Sequence, residues 1–213
     1  MSNRIWLRYE KKDLAKYISH LDFVRAMNRT LRRGEVPVSY SQGFNPHPKL
    51  SFALPLSLGT TSNCELIELE VDTDMAPEEI IERLNSKAPV GLKFVDGGIL
   101  EDKKMFNKIG YAKYQVTPDI MPSESQIEDF LKRDNMVVKK KTKSGINETD
   151  IRKDIDSIKI EDTSLIMVLA AGNEANLKPE TVILAMNTYI EGLSIDDYDC
   201  ERTGILDKNK KYV

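Results

Sequence analysis

One order of elements occurs twice along the chain, and few folds accommodate that. Hydrophobic periodicity and turn residues predict strand 5–9, helix 19–33, extended segments near 36–41 and 50–54, strand 64–71, helix 75–88 and strand 92–95. From residue 111 the series recurs: strand 111–117, helix 123–132, strands 136–141, 156–160 and 164–171, helix 179–190, strand 198–202. Each series reads β-α-β-β-β-α-β, close to a ferredoxin-like βαββαβ unit with an extra short strand or hairpin arm. The expected fold class is therefore α+β, two tandem ferredoxin-like domains with antiparallel sheets. They are placed at residues 1–104 and 105–213, with the polar stretch 102–110 as linker. The halves share no evident sequence identity.

Local signals support these boundaries. Ser19 with Asp22 three residues on, and Ser123 with Gln126, have the spacing of helix N-terminal caps. Pro77 and Pro179 sit where a first helical turn tolerates proline, and Gly34 ends the first helix. In strand 64–71 the glutamates Glu65, Glu68 and Glu70 are expected to point mostly outward.

The chemistry concentrates in residues 17–55. At about 100° per residue, Arg25, Arg29, Arg32 and Arg33 share one face of the first helix, and Phe23, Val24, Met27 and Leu31 the other. A short extended run then leads to Gly43-Phe44-Asn45-Pro46-His47-Pro48-Lys49. There two prolines fix the backbone on either side of His47. A rigid loop displaying Asn45, His47 and Lys49 beside an arginine-rich helix suits a phosphate or a nucleobase, with Tyr40 or Phe44 as stacking partner. The plain alternative is a rigid turn next to a solvated helix face. His20 lies on the apolar arc and reads as a core histidine. The run Lys139-Lys140-Lys141-Thr142-Lys143 reads as a hairpin tip whose lysines protect a strand edge, with phosphate contact as the alternative.

Several function classes drop out. No run approaches the roughly 18 apolar residues of a membrane span. Only two histidines are present, and Cys64 and Cys200 form no C-x-x-C, so no metal site or cofactor is expected and a cytoplasmic setting is. Phosphate-loop, H-E-x-x-H and G-x-S-x-G patterns are missing. The net charge of −3 hides an alternation: residues 1–60 carry ten Lys/Arg against four Asp/Glu, and residues 61–101 three against ten.

The strings Tyr17-Ile18-Ser19-His20-Leu21-Asp22 and Tyr40-Ser41-Gln42-Gly43-Phe44-Asn45-Pro46-His47-Pro48-Lys49 resemble the radical-SAM-linked protein family. The likeness continues through Ser51-Phe52-Ala53-Leu54-Pro55-Leu56, with weaker matches at Asp150-Ile151-Arg152, Lys178-Pro179-Glu180 and Glu201-Arg202-Thr203. Lys153 departs from it, standing where proline is expected. That family is a domain of unknown function, fused to cobalamin-binding-type radical-SAM proteins or encoded beside them. This chain lacks the C-x-x-x-C-x-x-C that a radical-SAM enzyme needs for its cluster. The resemblance therefore implies a separate accessory half with a radical-SAM protein as partner. Family genes tend to lie near ribonuclease and ribosomal-protein genes, which implies RNA or a ribosome-related substrate.

Two functions are expected from this. One is a non-catalytic binding module that presents RNA through Arg25, Arg29, Arg32, Arg33 and Lys49. The other, by fold analogy with CRISPR RNA-processing nucleases, is a metal-independent endoribonuclease with His47 as general base. A protein-interaction scaffold without a nucleic-acid role is the third possibility.

Overall fold

The computed structural model describes residues 3–101, 105–142 and 145–213. Asp102, Lys103 and Lys104 of the expected linker, and Lys143 of the basic run, lie outside the described residues. The chain divides into two compact units, Met1–Phe106 and Asn107–Val213.

In the first unit the order is β1 (Asn3–Lys11), α1 (His20–Arg33), β2 (Leu50–Phe52), β3 (Thr61–Val71), α2 (Pro77–Asn85) and β4 (Leu92–Ile99). β1 pairs antiparallel with both β3 and β4, and β2 pairs antiparallel with β3. The strand order is thus fourth, first, third, second. Two-residue alternation decides which face becomes core: Ile5, Leu7 and Tyr9 of β1 meet Ile67, Leu69 and Val71 of β3 beneath the helices. From above, α1 contributes Phe23, Met27 and Leu31, and α2 contributes Ile80 and Leu84.

The second unit runs β5 (Ile109–Pro118), α3 (Glu124–Leu131), β6 (Val137–Thr142), β7 (Gly145–Asp150), β8 (Ile155–Glu161), β9 (Ser164–Ala170), α4 (Pro179–Tyr189) and β10 (Tyr198–Asp207). β10 pairs with β5, β5 with β9 and β9 with β8, all antiparallel. Leaving aside the β6–β7 hairpin, which forms its own two-stranded sheet, the order is again fourth, first, third, second.

The repetition extends to single residues. The first helix of each unit starts on a serine: Ser19 accepts from the Asp22 amide, and Ser123 forms a reciprocal capping box with Gln126. The second helix of each opens on a proline, Pro77 or Pro179. Each second helix also grips the chain that follows it through an asparagine. Asn85 donates to the Phe94 carbonyl and accepts from its amide, both at 2.8 Å. Asn187 does the same to Ile195, at 2.8 and 2.9 Å.

Four expectations need correction. Residues 36–41 form no regular strand; isolated bridges, Val38 to Val71 and Tyr40 to Pro48, and single backbone hydrogen bonds hold them instead. Ile109 and Gly110 belong to β5, not to a linker. The segment near 136–141 leaves the main sheet to pair with β7. Glu65 points inward and is 1% exposed, because it shares the parity of Ile67, Leu69 and Val71.

Asp150-Ile151-Arg152 has a structural role. Asp150 accepts from the Met136 and Arg152 amides, Ile151 is buried, and the Arg152 guanidinium donates to the carbonyls of Leu131, Arg133 and Ile155. The run ties the end of the hairpin to the end of α3. Those two amides, the Met136 one foremost, hold the Asp150 carboxyl below its ordinary range. Its folded pKa is depressed, so its contribution is present above the unfolded value of about 4 and is lost as pH falls through the folded one. Asp150→Asn is therefore expected to lower stability at neutral pH and to flatten the fall in stability below about pH 4, read by thermal melts from pH 7 down to pH 2. An unchanged acid limb would show that the carboxylate contributes nothing.

Candidate nucleic-acid interface

The Ser19 cap sets the phase of α1, and that phase turns Arg25, Arg29, Arg32 and Arg33 to solvent while Phe23, Met27 and Leu31 enter the core. The four arginines are not equivalent. Arg25 is paired with Asp22 at 2.9 Å, three residues back on the same helix. Hydrogen bonds from Ser19 and then Arg25 hold the Asp22 carboxyl below its ordinary range, and the charge of Arg29 adds to this. Arg29, Arg32 and Arg33 make no salt bridge among the described residues. Part of their placement is ordinary helix chemistry, because cations in a last turn complement the dipole. Three exposed guanidinium groups along one stripe are also donors of the kind that phosphate oxygens accept.

From Gly34 the chain turns and becomes an arm. The Ser39 amide donates to the Glu70 carbonyl at 2.7 Å, and the Lys49 amide returns to the Ser39 carbonyl at 2.8 Å. Further out, the Ser41 amide donates to the His47 carbonyl at 2.8 Å, while Ser41 Oγ accepts from the His47 amide at 3.0 Å. The stem is thus cross-linked by backbone, and Gln42, Gly43, Phe44, Asn45 and Pro46 form an exposed tip. Gly43 takes φ +127°, a conformation other residues adopt only under strain. Phe44 is 111% exposed, more than in an extended reference chain.

Two of the expected ligands are already engaged, Arg25 by Asp22 and Lys49 by Glu70 at 2.7 Å. Tyr40 is exposed at 46%, and its backbone bridges to Pro48. His47 and Asn45 are exposed, and the contacts that fix His47 go through its backbone. His20 is not a core residue: it lies in the exposed first turn and meets Phe52 edge-on, ring centres 5.4 Å apart.

The sequence reading missed two buried charged residues beneath the start of α1, Lys11 and Glu65. Lys11 is 3% exposed, donates to the Ile18 carbonyl at 3.3 Å and lies 5.0 Å from the centre of the Phe23 ring. Burial lowers its pKa, and the charge of the buried Glu65 works against that shift. Ile18 directly precedes the Ser19 cap, so Lys11 anchors the Tyr17–Asp22 string from below. The signal was present in the strand parity: Ile5, Leu7, Tyr9 and Lys11 alternate onto one face. In the second unit Arg202 is also buried, with Nε and Nη2 donating to the Tyr114 hydroxyl at 3.3 and 3.2 Å.

A family model described as an uncharacterized protein conserved in bacteria, DUF2344, matches residues 4–179. The chain belongs to the DUF2344 family. The DUF2344 match takes in α1, the arm and Asp150–Arg152 and stops at the first residue of α4. No curated protein matches the chain. Among solved structures, it is similar to a chain in a crystal structure of a Cbf5–Nop10–Gar1 complex, at TM-score 0.51 and 8% identity. That likeness covers 94% of this chain and 48% of the other, so this chain spans about half its length; the likeness is one of fold. A second match is to an unknown protein from Galdieria sulphuraria, at TM-score 0.29 and 12% identity, covering 95% and 99% of the two chains. Among the described residues no helix is long and apolar enough to cross a membrane.

Proposed function

We propose that this chain is a non-catalytic RNA-binding module, built from two ferredoxin-like units, that holds its RNA for a radical-SAM protein partner. The observation that carries the RNA part is the exposed stripe Arg29, Arg32 and Arg33, followed in the chain by a backbone-locked arm. The repeated fourth-first-third-second strand order supports the ferredoxin-like reading. The partner comes from the resemblance of the Tyr17–Asp22 and Tyr40–Lys49 strings. Exposed Leu14 and Tyr17 just before α1, and Leu21 in its first turn, are the apolar area such a protein would cover. The two free cysteines go with a cytoplasmic setting.

Phosphate contacts release counterions, so the test is salt dependence. Replacing Arg29, Arg32 and Arg33 together with alanine is expected to weaken binding of structured RNA. The slope of log K against log salt should flatten by up to about 0.7 per lost single-strand contact, or about 0.9 per duplex contact. An unchanged slope would remove the stripe from the interface. His47→Ala should leave the slope as it is, and the recovered RNA should run intact on a gel. Cleavage by the parent chain that His47→Ala abolishes would instead identify the endoribonuclease. For that chemistry, the Lys49 assigned to developing charge is already held by Glu70. A parent chain that neither binds nor cuts RNA, yet co-purifies with a radical-SAM protein, would be the scaffold.

A further inference from the structure

We propose that the arm recognises an unpaired nucleotide, with Phe44 as the platform on which one base stacks. This rests on the RNA-binding reading above and adds the class of RNA. Phe44 is fully exposed at the tip of an element whose stem is held by four backbone-anchored hydrogen bonds. It contributes nothing to the core, and the stem below the tip is fixed by those bonds.

The surroundings favour a base over a protein pocket. A protein anchor of this kind is normally ringed by further apolar contacts that exclude water. The residues flanking Phe44 in the chain are Gln42, Gly43, Asn45 and Pro46, two amides among them, and all are exposed. One aromatic face with amides beside it matches what a nucleobase requires: a π surface and hydrogen-bonding groups for its edges. The uncommitted cations on the same unit, Arg29, Arg32 and Arg33, supply the backbone term.

The class of RNA follows from stacking. In a helix both faces of each base are covered by neighbours, and inserting a side chain requires unstacking a step. The major groove of duplex RNA is also too deep and narrow for side chains to read. A loop, bulge or free end offers an open base face without that penalty. Tyr40 sits in the stem and is 46% exposed against 111% for Phe44, so Phe44 offers the more open ring.

The test compares a 12-nucleotide oligoadenylate with a blunt 12-base-pair RNA duplex at one salt concentration, using the full chain. Phe44→Ala is expected to weaken the single strand about tenfold and the duplex less than twofold, and Phe44→Trp to restore single-strand binding. Because Phe44 touches nothing in the fold, these variants keep the parent melting temperature. An equal loss on both RNAs, or none on the single strand while the triple arginine variant loses both, overturns the stacking role and leaves the RNA reading intact. Loss of a co-purifying protein with single-strand affinity unchanged also overturns it, in favour of a protein pocket. If the parent chain binds neither RNA, both proposals fall.

Discussion

Glu65→Gln is expected to destabilise the first unit, because Glu65 is buried and its charge opposes the desolvation of the buried Lys11 ammonium. The substitution keeps the shape of the side chain and removes only its charge. Lys11 would then be an ammonium with 3% exposure, supported by one carbonyl and the Phe23 ring. It must either lose its proton or pull toward solvent, and the second course releases the Ile18 carbonyl just before the Ser19 cap. Replacing both partners, Lys11→Met with Glu65→Leu, is expected to recover most of the loss, since burying two apolar chains avoids desolvating two charges. Urea unfolding of the parent, Glu65→Gln and the double variant checks this. A Glu65→Gln chain within 0.5 kcal/mol of the parent would mean that Lys11 does not depend on Glu65.

Phe94→Ala should cost about 3–5 kcal/mol, the range for removing a buried aromatic ring. Phe94 is 1% exposed and its ring centre lies 6.1 Å from that of Tyr9, which in turn stacks on Phe23 at 5.6 Å. The void would open inside a cluster shared by β1, α1 and β4. The backbone at this position is fixed independently by Asn85, so little collapse can refill the space. Phe94→Leu, which leaves a smaller cavity, should lose less than half as much by the same urea measurement. Equal losses for the two would place the effect in something other than the cavity.

What the sequence reveals and what it hides follow from the range of the forces involved. Helix ends are set within a few residues, by Ser19 and Ser123 as caps and by Pro77 and Pro179 as openers, and the four α-helices among the described residues lie where local signals put them. The phase of α1 was equally legible, since it needs only the spacing of Arg25, Arg29, Arg32 and Arg33. Pairing is different. The engagement of Lys49 by Glu70 depends on β2 lying beside β3, a contact between residues 21 apart. The Arg25–Asp22 pair, by contrast, has i,i+3 spacing and was available from the sequence. His20 was misplaced because the apolar arc of a helix is buried only where the helix lies over the sheet, and its first turn stays exposed. Glu65 was misjudged because Leu66 is buried too, on the opposite face, which blurs the alternation that would have shown Glu65 inward.

The paired asparagines bear on how each unit organises itself in time. Asn85 reaches a residue nine positions ahead and Asn187 one eight ahead, whereas the Ile5–Leu69 pairing of β1 with β3 closes a chain of 64 residues. Loop-closure entropy rises with the logarithm of length, so the longer closure is disfavoured by about 1.7 kcal/mol relative to the asparagine contact. The second helix and the segment after it can therefore associate through a short excursion before the distant strands meet. Both units carry this economy at the same place in their chain order, so each half has a nearby foothold from which its slower, long-range sheet can be completed.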